Sequence, residues 1–524
     1  MTATARDDTG LHPALRRLFS ALSAVERVGN RLPHPFWLFW ILSGVLAVTS
    51  AVLAAANVTV TLPESGETLA VRSLLSMEGV AYTVDTALDS FAAFPALPVV
   101  VVVLMGVAVA EQSGLTAALL RTTIVRLPAR WVTFAVAFAG TVAHVAFDAA
   151  FVVLIPVAAL AFRAVGRSPV LGVVTAYVSI AAGYNASPLV TPSDAILASI
   201  TTSAARMVDP AAVVTPLASW YWNAASSLLV AVVVTVTVEF VVRRRADLGH
   251  TGEPGTAAEA GTTDADGDTD LALAPIERRA LRRAGLAALL VVAAAVAAVA
   301  PASSPLRGEG GSLVQSGLLL NVAVVVALLF ALTGAVYGRT TGSVPTTGAV
   351  PGIMADGVRV IAPIIVLFFA ISQFLAFFSW TRVGSVVAVG GAELLQGLDT
   401  PPLVLMLVLI AVVSVVNVLI SSGSAMWSLI APIVVPMLMY LDISPAVVQT
   451  VYRIGDSCTN AVTPMSAYFV LALGYVQRYR RDAGIGTLVS YTLPIALVLL
   501  VAWTAMFVLW YAVGLPLGPG TPVQ

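Results

Sequence analysis

Four ionisable side chains, Asp148, Asp194, Arg453 and Asp456, sit within long apolar runs of a 524-residue chain. A charge in such a run is expensive and is kept for function. Arg453 and Asp456 are three residues apart and share a face of any helix that carries them. They either hold each other as a structural ion pair or leave the arginine to clamp a carboxylate. Asp194 has no cation near it in sequence, which makes it the candidate proton carrier. These residues lie beside breaks in the apolar pattern, "NASPLVTP" at 185–192 and "NAVTP" at 460–464. Proline there removes a backbone donor and frees carbonyls, and irregular backbone at membrane depth is tolerated only where it lines a cavity or binds something. Freed carbonyls beside Asn185 and Asn460 suit a sodium ion, and the N-termini of half-helices suit a carboxylate. Pro188 alone reads equally as a kink, His144 and Glu111 read as structural, and Trp427 either stacks on a bound ring or packs in a core.

The elements that position these groups must be membrane helices. Hydrophobic residues make up 59% of the chain and charged residues 10%, with mean hydropathy +0.94, so the chain is a polytopic membrane protein. A net charge of −1 carries no nucleic-acid signal, and the single cysteine, Cys458, forms no internal disulfide. An intramembrane hydrolase would need a second catalytic aspartate or a Ser-His pair, and the four histidines lie in flanks, loops or toward a helix end. A channel would need a continuous polar lining.

Lys and Arg mark the cytoplasmic side. Residues 1–35 form a basic cytoplasmic segment without the pattern of a cleaved signal, and spans follow near 36–56 and 92–112, flanking an outer loop at 57–90. The run 131–162 is bounded by Arg130 and by Arg163 and Arg167, so it enters from the cytoplasm and returns there as a re-entrant hairpin. A broken helix at 168–205 and a span at 218–242 complete the first half. The segment 243–283 is a polar cytoplasmic linker; its Asp264, Asp266, Asp268 and Asp270 lack the spacing of a calcium loop. The second half, 284–514, has spans near 284–301, 316–338 and 358–378, an outer segment at 379–400, a hairpin at 401–440, a broken helix at 445–475 and a last span at 487–514. Residues 515–524 form an uncharged tail. The expected fold is all-α, with nine transmembrane helices and two opposed re-entrant hairpins.

The two hairpins repeat. Asp148 lies 21 residues before Pro169 and Ser424 lies 21 before Pro445, while Asn185 and Asn460 follow 275 residues apart. Charge places the second hairpin's entrance on the outer face, which makes this the inverted repeat of secondary transporters. "SSGSAMW" at 421–427 then puts Ser421, Ser422, Ser424 and Trp427 at a tip facing the second break, with Arg453, Asp456 and Asn460 as further candidate substrate contacts.

The stretches "ERVGNRLPHPFWLF", "GVAVAEQSGL", "FDAAFVVLIPVAALAFRAVGRSP", "YRIGDSCTNAVTPMSAYF" and "GIGTLVSYTLP" resemble the AbgT family of p-aminobenzoyl-glutamate transporters and antimetabolite exporters, over nearly the whole chain. The resemblance implies a homodimer of nine-span protomers in the bacterial inner membrane, with lipid and a small-molecule solute as its other partners. It implies transport residues at Asp194, Ser424, Trp427, Pro445, Arg453, Asp456 and Pro464, a sodium site at Asp148 and Asn185, and no other cofactor. The implied activity is proton- or sodium-driven transport of p-aminobenzoyl-glutamate-like carboxylates or export of sulfonamides. A sodium-coupled dicarboxylate importer is the competing reading. The linker at 253–270 matches nothing in that family pattern.

Overall fold

Proline and small residues set the helix ends and the closest helix contacts. A computed structural model of the chain describes residues 33, 35–61, 63, 66–125, 129–146, 149–243, 273–308, 311, 313, 316–420, 422–464 and 466–523. Asp148, Ser421 and the linker core 253–270 lie outside these residues.

The described chain is helical apart from one antiparallel hairpin, β1 (Thr59–Thr61) with β2 (Thr68–Ala70), in the segment after α1 (Pro35–Ala55). The segment expected as an outer loop also carries two short helices, α2 (Met77–Asp85) and α3 (Ala87–Ala92). Then come α4 (Ala96–Gln112), α5 (Leu115–Val125), α6 (Val132–Val142) and α7 (Ala149–Ala164) in the segment expected as the first hairpin, and the first broken helix as α8 (Pro169–Ala182) and α9 (Pro192–Ala205). Helix α10 (Trp220–Thr237) continues through a π turn at Val238–Val242.

The second half runs α11 (Pro275–Val299), α12 (Val322–Thr341), α13 (Val350–Trp380), α14 (Val383–Gly397), α15 (Pro402–Asn417) and α16 (Gly423–Met439) in the segment expected as the second hairpin, the broken helix as α17 (Pro445–Asn460) and α18 (Ala467–Tyr479), and α19 (Ile485–Val513). Among the described residues six helical segments are long and apolar enough to cross a membrane. Their outward faces are apolar, as at Val45, Leu289 and Val501, which is the surface that lipid requires.

Two boundaries differ from the sequence reading. Helix α11 begins at Pro275, inside the expected linker, because Glu277 caps its first turn by accepting from Ala274 N at 2.8 Å. The segment 379–400, read as outer chain, contains α14, which packs on α16; a side chain at Gly391 would meet Met437 Sδ at 2.7 Å.

Helices α1, α4, α11, α12 and α13 pack on one another, with α4 and α12 in near-backbone contact: a Cβ on Gly106 would stand 2.2 Å from Ala327 O. The second group joins the hairpins to the broken helices. Arm α6 lies on α8 and arm α15 on α17, each through one glycine: Gly140 faces Ser179, and Gly455 faces Ile410 and Val413. Arm α16 packs across the repeat onto α9. The tail 515–523 is docked on the first half, where Leu517 is buried and its carbonyl accepts from Trp222 N at 3.0 Å.

Candidate functional site between the broken helices

The expected breaks occur at 183–191, between α8 and α9, and at 461–466, between α17 and α18. At the first, Thr191 and Asp194 form a capping box on α9: Asp194 Oδ2 accepts from Thr191 N and Thr191 Oγ1, both at 2.8 Å. The carbonyl of Pro188 accepts from Trp220 Nε1 at 3.0 Å, so one of the acceptors opened by the break is satisfied inside the protein.

Helix α17 is buried nearly throughout yet carries Gln449, Arg453, Asp456 and Asn460 at the spacing i, i+4, i+7, i+11, which is one face of a helix. That face turns toward the first break and α9. Arg453 Nη1 donates to Asp194 Oδ1 at 2.6 Å, with both side chains almost fully buried. The pairing expected between Arg453 and Asp456 is therefore replaced by one with Asp194, the residue expected to lack a cation. Arg453 and Asp456 do share a face of α17, but α9 lies opposite and brings Asp194 to the guanidinium. Asp194 Oδ1 also accepts from Asn223 Nδ2 of α10 at 3.0 Å, so this carboxylate is held from three elements.

Asp456 is held instead by the first break. Its Oδ2 accepts from Asn185 Nδ2 at 2.7 Å, and the same nitrogen donates to Ser457 Oγ at 2.9 Å. Asn185 Oδ1 is buried with no partner among the described residues. Beside Asp456 the second tip comes so close that a Cβ on Gly423 would stand 3.0 Å from Asp456 Oδ2, which is why glycine occupies that position. Ser422 occupies the N-cap position of α16 without a side-chain cap bond, and Ser424 follows Gly423 in the first turn. Asn460 accepts from Asn417 Nδ2 through its side chain at 2.9 Å and from Tyr177 OH through its carbonyl at 3.2 Å. Trp427 is fully buried; it lies against Tyr452, with ring centroids 4.4 Å apart, and its Nε1 donates to Thr201 Oγ1 of α9 at 2.9 Å.

Two further candidate contacts are prolines. Pro445 opens α17 two turns before Arg453 and lines a cavity of about 700 Å³ with Pro402, Met406, Met439, Asp442 and Tyr511. Pro464 lies in the second break. His144, read from the sequence as structural, is buried with Nε2 2.5 Å from Ile180 O. The residues missed were Thr201, Asn223, Asn417 and Gln449. Their signal was a neutral hydrogen-bonding group inside an apolar helix, which a search for charges passes over.

A buried cation shared between two broken helices, in a bundle whose outer helices face lipid, defines a helical multi-pass membrane transporter, and the comparisons specify which kind. A profile of the AbgT putative transporter family matches residues 20–524, and the chain belongs to that family. It is 35% identical over 499 residues to the p-aminobenzoyl-glutamate transport protein of Escherichia coli (strain K12), covering 95% of each chain. The solved structure of the Alcanivorax borkumensis YdaH transporter superposes with TM-score 0.85 at 38% identity, over 93% of this chain and 100% of that one. MtrF of Neisseria gonorrhoeae, which represents a class of antimetabolite efflux pumps, superposes with TM-score 0.86 at 36% identity, over 96% of this chain and 100% of that one. The protein is a transporter and not an enzyme.

Proposed function

We propose that the protein is a secondary active transporter of p-aminobenzoyl-glutamate-like aromatic carboxylates, or an exporter of sulfonamide antimetabolites, in the bacterial inner membrane. The observation that carries this reading is the buried Arg453–Asp194 pair. A cation in a low-dielectric site is stable only with a partner, and Asp194 fills that place inside the protein. An anionic solute competes for the same guanidinium. Arg453 supplies the cation whose absence from the nearby sequence suggests Asp194 as proton carrier, so the carrier role rests on competition. A proton on Asp194 cancels the charge that holds Arg453, which would link proton movement and solute binding through one arginine. Asp456, fixed by Asn185, and the tip residues Ser422, Ser424 and Trp427 form the remaining wall, with Ser421, Pro445, Asn460 and Pro464 as the other proposed solute contacts.

A sodium ion as the driving cation, held by Asn185 and Asp148, is a second part of the proposal. The unpartnered, buried Asn185 Oδ1 supports it, as a hard oxygen donor of the kind sodium takes. Among the described residues no cluster of three His, Cys, Asp or Glu side chains offers a site for a more demanding metal. Nine spans with two opposed hairpins, a homodimer and a cytoplasmic N-terminus complete the proposed architecture. The sodium-coupled dicarboxylate importer is not favoured, since the relatives' names point to p-aminobenzoyl-glutamate and antimetabolites.

The test is uptake and efflux of radiolabelled p-aminobenzoyl-glutamate and sulfamethazine in proteoliposomes with imposed proton and sodium gradients. Gradient-dependent movement of either solute is expected; no movement of either under any gradient overturns the assignment.

A further inference from the structure

Resting on that reading of the site, we propose that Gln449 and Thr201 are positioning residues that fix the Arg453 guanidinium and tether it to the tip of the second hairpin. Thr201 stands two turns beyond Asp194 on α9, and Gln449 stands one turn before Arg453 on α17. The two helix faces meet in opposite directions, and Thr201 Oγ1 lies 2.5 Å from the Gln449 amide.

The hydroxyl has one proton to give and two lone pairs to offer. It donates to Leu197 O at 2.8 Å and accepts from Trp427 Nε1 at 2.9 Å. The remaining lone pair requires a donor, so the Gln449 amide must present its nitrogen. In that orientation the nitrogen reaches Thr201 Oγ1 at 2.5 Å and Leu197 O at 3.1 Å, and the amide oxygen accepts from Arg453 Nη2 at 2.9 Å. The Thr201 hydroxyl and the Gln449 amide are then satisfied, and a continuous chain runs from Trp427 through Thr201 and Gln449 to Arg453 and on to Asp194.

Two consequences follow from the assignment. Nη1 and Nη2 of Arg453 each donate once to the protein, while Nε is buried without a partner among the described residues, so the guanidinium is held in place with N–H groups left for a solute. The indole nitrogen of Trp427, one turn into α16, is satisfied through Thr201, so a displacement of Arg453 by solute reaches the hairpin through neutral hydrogen bonds.

The experiment uses the full-length protein in liposomes, with Cys458→Ala and Ser422→Cys as a reporter on the hairpin tip, and reads the rate of maleimide labelling without solute. Thr201→Val, which preserves volume and removes the hydroxyl, and Gln449→Met are each expected to raise the rate about tenfold by releasing a buried hydrogen bond. Thr201→Ser should restore the original rate, and adding Trp427→Phe to Thr201→Val should give no further increase. An unchanged rate in Thr201→Val and Gln449→Met, or a multiplied rate with Trp427→Phe, overturns the tether. In transport, the same two variants should raise KM for p-aminobenzoyl-glutamate about tenfold with kcat nearly unchanged, as loss of one positioned donor implies; equal loss of both constants would mark a merely structural role. Should the wild-type protein move no solute, the functional assignment fails while the labelling result still decides the tether.

Discussion

Arg453 reaches across 259 residues of chain to Asp194 while Asp456 stands less than one turn away on its own helix. Asp194 and Asp456 therefore each take a contact from the opposite half of the protein, Asp194 of the first half from Arg453 and Asp456 of the second half from Asn185. A change at either contact disturbs the relation of the halves as well as the local bond.

Removing the two members of the ion pair should have opposite effects on solute. Arg453→Ala deletes the cation and leaves Asp194 a buried, unpaired charge, which costs about 3–5 kcal/mol of stability and abolishes binding. Asp194→Asn keeps a hydrogen-bonding side chain and frees the guanidinium, so an anionic solute should bind at least as tightly as to wild type while a pH jump no longer drives transport. Calorimetry on purified protein and pH-jump flux in liposomes check both; full proton coupling in Asp194→Asn would move the carrier role to another group.

Asn185→Leu removes the donor that satisfies Asp456 and the oxygen proposed for sodium. The lost bond should lower stability by about 1–3 kcal/mol. Sodium-dependent thermal stabilisation, measured in detergent against choline as the control cation, should disappear. Its persistence would place the sodium site elsewhere.

Gly455→Ala tests the closest approach of α15 to α17. A Cβ there would stand 2.8 Å from Ile410 O and 2.8 Å from Val413 Cβ, and backbone cannot yield as a flexible side chain can. The expected loss is about 1–3 kcal/mol, read as an earlier melting transition, with Gly44→Ala, which meets nothing, as the comparison.

The opposed entry of the hairpins can be read directly. In a Cys458→Ala background, Val142→Cys should react with a membrane-impermeant maleimide from the cytoplasmic side and Ser422→Cys from the outer side. Labelling of both from one side would remove the inverted repeat.

The breaks were legible because proline and asparagine at mid-span have few structural excuses in lipid, and both fall where the residues placed them. Helix α14 was not legible, since Gly384, Gly390, Gly391 and Glu393 gave it the look of a loop and only its packing on α16 makes it a helix. The identities of the charged site residues could be listed from sequence, but not their partners. Spacing along one helix says which groups share a face and is silent about the helix opposite. The amides and hydroxyls that hold them were overlooked because they carry no charge, although burying one unpaired in hydrocarbon is itself costly.

The polar contacts of the site cross between the halves like rungs, Asn185 to Asp456, Asp194 to Arg453 and Thr201 to Gln449, and the tail at Leu517 hooks back onto Trp222. Neither half can satisfy these groups alone, so each acts as the other's folding template. The peptide link between them then matters for stoichiometry more than for shape. Fragments 1–243 and 273–524 made as separate polypeptides should find each other in the membrane and assemble as a split protein, whereas either fragment made alone would present its share of the rungs to lipid and be cleared by proteolysis.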